Sequence, residues 1–341
     1  MRLSSLIAVP LAALGGLASH AANGRIPIYA PITITQPGSY VVTANLSGSP
    51  PLIRVQANDV EIDLNGFQLQ ATTNAAPVID ASNVQALRVH GGSLVNGLNG
   101  VRMQNMLGGE VRRVFISGTA SDGIRIDAST NVLVQENTIS AGGIGIHLPA
   151  GAVAMQANVI RNLVSDTSGG GIRVTGLKAG RISGNHLRGL GEVGIHLLAS
   201  SGFEVSDNTV LSAVLNGIAV VNSDGGQLRG NLVRSAGRNG IQLDEASDGI
   251  LVLENTVSGS AEDGIHVQGR RCQIEGNHIS TSTFRALHLT ASSDRCVYRT
   301  NAGRGGGGLG AACAAAGSTN DFCNEGTQNS SEGENYLPSR L

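Results

Sequence analysis

The chain has 341 residues, a formal net charge of −2, 14% charged side chains and 48 glycines. That near-neutral balance argues against nucleic acid as a partner, which would need a basic face. With no tryptophan and only 3% aromatic residues, the chain also lacks the flat platforms on which neutral glycans such as cellulose or chitin stack.

Residues 1–21 carry one Arg, an apolar run from Leu6 to Leu17, and Ser19-His20-Ala21 in the small-x-small arrangement of a cleavage site. This predicts a secretory signal peptide cleaved near Ala21, and a protein that is periplasmic or secreted from a bacterium. No later stretch approaches the ~18 apolar residues of a membrane-spanning helix. Residues 22–54 read as an N-terminal β cap, with two alternating strands around the turn dipeptide Pro37-Gly38. Regular repeats then fill 55–301, and 302–341 reads as a C-terminal cap and tail.

The repeat is glycine, isoleucine, any residue, aliphatic: GIRI at 123–126, GIHL at 145–148, GIRV at 171–174, GIHL at 194–197, GIAV at 217–220, GIQL at 240–243 and GIHV at 264–267. GVRM at 100–103 and ALHL at 286–289 are looser copies. Between them recurs aliphatic-x-x-Asn-x-aliphatic, which places Asn137, Asn158, Asn185, Asn208, Asn231, Asn255 and Asn277 in one column. A fixed period of about 23 residues is the signature of a solenoid. Each unit holds short segments alternating apolar with polar, rich in Val and Ile, and no run long enough for a helix. The expected fold is all-β, a parallel β-helix of about ten coils. Each leading glycine marks either a corner with φ > 0 or a close approach to the next coil, and the asparagines stack as a ladder in a turn.

These paired motifs resemble the right-handed parallel β-helix repeats of the pectin-lyase-like superfamily over roughly 55–301. The resemblance implies polysaccharide lyases, hydrolases and epimerases, and equally adhesins and plain scaffolds.

Cys272 and Cys296 each stand five residues before a column asparagine, so they occupy one inward position in adjacent coils. Strands ~4.8 Å apart fit a disulfide, and an oxidising compartment favours it. By elimination Cys313 pairs with Cys323. A metal site is the weaker alternative, because no CxxC spacing or histidine pattern accompanies these cysteines.

The third motif position faces outward and reads Arg102, Arg125, His147, Arg173, His196, Ala219, Gln242, His266 and His288. The next outward column includes Asp127 and Asp244. Such a ladder of Arg and His at ~4.8 Å steps is a track for an anionic polysaccharide, with Arg forks gripping carboxylates. A glycoside hydrolase needs two carboxyls ~5–9.5 Å apart. Extended-strand spacing puts Asp122 and Asp127 ~16 Å apart, which disfavours that reaction. A lyase or C5-epimerase needs a cation on the uronate carboxylate and a base for the C5 proton. Arg125, Asp127, His147, Arg173 and His196 are the candidate catalytic set, with His147 or His196 as base. Arg102, Gln242, Asp244, His266 and His288 are candidate substrate contacts. Neither the Asp-Pro-His-Asp motif of the alginate epimerases nor an acidic calcium cluster is present, so no cofactor is expected. His266 and His288 lack a visible third metal ligand. The alternatives are a non-catalytic surface or envelope scaffold, a carbohydrate-binding protein, or an accessory factor for a periplasmic metalloprotein.

Overall fold

The computed structural model describes residues 24–151, 156–305, 321–332 and 335. Residues 1–21, expected to be a signal peptide, and Cys313 lie outside the described residues. Every named element is a β-strand, and every strand pairing within the described residues is parallel. Valine and isoleucine alternating with polar residues suit such a pleated surface, and each coil's hydrogen bonds are completed by its neighbours.

Each regular coil contributes three short strands separated by corners. The glycine-isoleucine strands stack into one 13-stranded sheet, from Ile32–Ile34 to Phe322–Asn324. The other two faces merge into a 24-stranded sheet. Two long strands, Gln85–Val95 and Leu107–Thr119, cause the merger by bending round a corner and pairing on both faces. Inside, columns such as Ile124, Ile146, Ile172 and Ile195, and Ile126, Leu148, Val174 and Leu197, are fully buried in one continuous core.

The coils run further than the period shows. Within 22–54, Ile26–Ile28 already pairs with Tyr40–Val42, and Ile32–Ile34 pairs with Ile53–Val55. Beyond Asn301, Phe322–Asn324 pairs with Leu287–Leu289. The residues between 305 and 321 lengthen that last step and hide it from a search at a fixed period.

The asparagine ladder forms with one correction. Asn162, not Asn158, holds the column between Asn137 and Asn185. Asn158 lies exposed in the strand Ala157–Ile160, opposite Leu133. The long 26-residue step from Gly145 to Gly171 puts its extra residues ahead of this strand, so the sequence pattern matches one turn too early. The ladder then continues through Asn301 to Asn335.

Of the two roles considered for the leading glycines, close approach is the operative one. None of Gly100, Gly123, Gly145, Gly171, Gly194, Gly217, Gly240 or Gly264 has positive φ. A Cβ on Gly217 would lie 2.2 Å from Val233 Cγ1 and 2.7 Å from the Gly240 carbonyl oxygen of the next coil. A backbone carbonyl cannot rotate away. Gly217→Ala is therefore expected to cost about 1–3 kcal/mol, as overpacking does, read as a lower urea midpoint.

The proposed Cys272–Cys296 bridge is not present. Both are buried free thiols. Cys296 Sγ accepts the Cys272 amide at 3.3 Å. Each sulfur otherwise turns to a carbonyl, Cys272 to Arg270 at 3.3 Å and Cys296 to Gly269 at 3.4 Å. Neighbouring strands satisfy the spacing of a disulfide, but the side-chain directions chosen here satisfy hydrogen bonds instead. The thiol–thiol hydrogen bond and burial push the Cys272 thiol up, while the same bond holds Cys296 below its usual range. Cys323 is disulfide-bonded.

Candidate functional site

On the glycine-isoleucine face the outward column is continuous and in register. Asp80 pairs with Arg102, then Arg125, His147, Arg173, His196, Ala219, Gln242, His266 and His288 follow strand by strand. The track is not a bare row of cations. Carboxylates reach it from the corners before three of the glycines, Asp122 before Gly123, Glu192 before Gly194 and Asp263 before Gly264, positions whose side chains the alternation of the strands does not reveal.

At the first cluster, buried Asp122 binds His147 Nδ1 at 2.9 Å and Arg125 Nη1 at 3.2 Å through Oδ2. Its Oδ1 accepts the Ile144 amide at 3.1 Å. Arg125 reaches the other way to Asp127, with Nε 3.0 Å from Oδ1. Arg102 Nε lies 3.5 Å from the same carboxylate. Asp122 and Asp127 thus share one guanidinium, and the ~16 Å separation expected from an extended strand is overturned, because Asp122 precedes the corner. Burial pushes the Asp122 carboxyl up, but the His147 hydrogen bond and charge, the Ile144 amide and Arg125 outweigh it, and it lies below its usual range. Asp122 is therefore an ionised orienting group and not the proton-loaded acid a hydrolase requires.

With an ionised carboxylate on Nδ1, His147 carries its neutral-form proton there and presents Nε2 as the basic nitrogen. Arg173, the next residue in the column, pairs with Glu192 at 2.9 Å. His196 follows, its Nδ1 buried without a hydrogen-bond partner among the described residues. Burial, with help from the nearby Arg173 charge, lowers its pKa from 6.5 to about 4. His196 is neutral at pH 7, and its ring is a weak base.

The middle of the column is uncharged. Ala219 is buried, and Gln242 Oε1 accepts from Asn216 Nδ2 at 2.6 Å. Asp244 faces its own turn, accepting from Ser247 Oγ at 2.6 Å and the Asn222 amide at 2.9 Å, and is not joined to the histidines. A second cluster closes the C-terminal end. The Nδ1 atoms of His266 and His288 both lie 2.8 Å from Asp263 Oδ2.

The right handed beta helix region family matches residues 53–210, 122–279 and 216–325, most of the chain. The chain belongs to the right-handed β-helix family. No curated protein matches it in sequence. Among solved structures it is similar to the periplasmic alginate epimerase AlgG, with TM-score 0.64 and 16% identity over 82% of this chain and 77% of that one. It is also similar to a tailspike protein of E. coli bacteriophage HK620 in complex with pentasaccharide, with TM-score 0.58 and 12% identity over 84% and 61%. The catalytic unit of a GH87 α-1,3-glucanase from Streptomyces thermodiastaticus strain HF3-3 gives 0.50 and 15% over 87% and 62%. At these identities the likeness is one of fold.

Within this β-helix the column is legible in the sequence, but Asp122 as His147's partner, Asp263, Glu192 and Glu325 are not. A signal for two of them exists. The residue before each leading glycine, and before Ala286 in the last copy, reads Asn99, Asp122, Ile144, Gly170, Val193, Asn216, Asn239, Asp263 and Arg285, and its two aspartates are those that bind the histidines.

The His196 environment sets a pH dependence. The unfolded ring takes a proton near 6.5 and the folded ring only near 4. Between those values the unfolded state binds more protons, so stability falls as pH drops through this window and is complete above it. His196→Gln is expected to flatten that part of the stability profile, which denaturant midpoints at pH 7 and pH 4.5 would show.

Proposed function

We propose that this is an exported polysaccharide-acting β-helix whose site abstracts the C5 proton of a uronic-acid residue. The observation that carries the reading is the buried Asp122–His147 pair at 2.9 Å, in register between Arg125 and Arg173. Arg125 or Arg173 neutralises the uronate carboxylate, which acidifies the adjacent C–H. His147 Nε2 takes the proton, and Asp122 fixes the ring tautomer and balances the imidazolium. Breaking the C4–O bond as the carbanion collapses, with the proton held on His147 Nε2 passed to the leaving oxygen, forms a C4–C5 double bond and gives a lyase. Returning a proton to the opposite face gives an epimerase. AlgG, of like fold, is an alginate epimerase, which supports uronate chains as the first substrates to test.

The test is absorbance near 235 nm on alginate, pectate, hyaluronan and heparinoid chains, with deuterium uptake from solvent at C5 followed in parallel. New absorbance marks elimination, and uptake without absorbance marks epimerisation. Silence in both, on every chain, rejects proton abstraction.

One observation favours a non-catalytic scaffold. Arg102, Arg125 and Arg173 are already paired with Asp127, Asp122 and Glu192, so the column needs no ligand to relieve its charge. That reading predicts silence in the same assay.

A further inference from the structure

The second cluster stands apart from the first, with His266 five strands from His147 along the column, or ~24 Å by strand spacing. The geometry points to a site for a borderline divalent cation of the Zn2+ class, held by Asp263, His266 and His288. Their donor atoms all lie within 4.8 Å of one another. Two imidazoles and a carboxylate form a donor set that suits Zn2+ or Cu2+ rather than the all-oxygen preference of Ca2+.

The surrounding groups are arranged as a supporting shell. Asp263 Oδ1 accepts the Arg285 amide at 3.1 Å, which fixes the carboxylate and leaves Oδ2 facing both rings. When a cation takes Nδ1 of a neutral ring, the ring proton moves to Nε2. At His288 that nitrogen already faces Glu325 Oε2 at 3.5 Å, the carboxylate partner that metal-bound histidines characteristically use. The two rings meet edge to face with centroids 5.0 Å apart, so their nitrogens converge without stacking. Arg285 opposes binding, with Nη1 3.4 Å from His288 Nδ1 and Nη2 3.9 Å from Glu325. Asp263 and Glu325 together outweigh that one fixed positive charge.

The corner itself does not require a carboxylate. One and two coils earlier the same position is Asn239 and Asn216, and each uses its side-chain oxygen for the same backbone bond. Asn239 Oδ1 accepts the Asp263 amide at 3.0 Å, and Asn216 Oδ1 accepts the Asn239 amide at 3.1 Å. Aspartate replaces asparagine where two histidines stand beside it, which is where a charged ligand has something to bind.

The full chain should take one equivalent of Zn2+ from a chromophoric chelator. Asp263→Asn keeps the corner bond that asparagine makes in the neighbouring coils, so it should fold normally and bind at least ~10-fold more weakly. His266→Ala/His288→Ala should lose the equivalent altogether, and Glu325→Gln should weaken it ~10-fold. Failure of the parent chain to take Zn2+ from the chelator overturns the site. So does undiminished uptake by the double-histidine variant, or loss of uptake in His147→Ala or in Cys296→Ser.

Discussion

Replacing His147 with alanine is expected to lower turnover of a uronate chain by ~10²–10⁴-fold, the usual contribution of a positioned general base. The fold should survive, because the column points outward and the strand's inward residues, Ile146 and Leu148, are untouched. Asp122→Asn is the informative companion. Asparagine at this corner still accepts the following coil's amide, as Asn216 and Asn239 do. What it removes is the ionised partner of Nδ1, so the ring is free to adopt the wrong tautomer and loses its counter-charge. Activity should fall, by less than in His147→Ala, because the base remains but is no longer held in the productive tautomer. His196→Gln should change turnover little, since that ring is already neutral at pH 7. A His147→Ala variant as active as the parent would remove His147 from the reaction, whatever the substrate.

The sequence made the β-helix and the outward column legible because both are periodic. A side chain that recurs every coil at the same strand position announces its face through alternation alone. Asp122 and Asp263 escaped because they stand at a corner, where alternation stops and the chain direction decides what the side chain meets. Glu325 escaped because the chain between 305 and 321 breaks the period. The same physics misplaced Asn158, since a 26-residue coil can hold its extra residues on either side of the turn and the motif does not say which. The cysteines failed differently. Position was read correctly, and both are buried in adjacent coils, but a rotamer that satisfies a backbone carbonyl is not visible in spacing.

The largest stability effect is expected at the ladder asparagines, and it also checks the corrected register. Asn208 Oδ1 accepts from the Asn185 amide at 3.0 Å and from Asn185 Nδ2 at 2.9 Å. Its own Nδ2 donates to the Ile182 carbonyl at 2.8 Å and to Asn231 Oδ1 at 3.0 Å. All of this is buried. Asn208→Ala strands the Asn185 amide and the Ile182 acceptor away from water at once, while Asn185 Nδ2 keeps the Val159 and Ser183 carbonyls. At ~1–3 kcal/mol for each buried group left unpaired, these two groups give a loss of about 2–6 kcal/mol. In a solenoid each coil is held chiefly by its neighbours. The loss should therefore appear first as faster amide exchange in the coils around 185–231, and then as a lower overall urea midpoint. Asn158→Ala, by contrast, should be nearly neutral, and Asn162→Ala should behave like Asn208→Ala. If Asn158 proved the costly one and Asn162 the silent one, the coil between Asn137 and Asn185 would be wound in the other register.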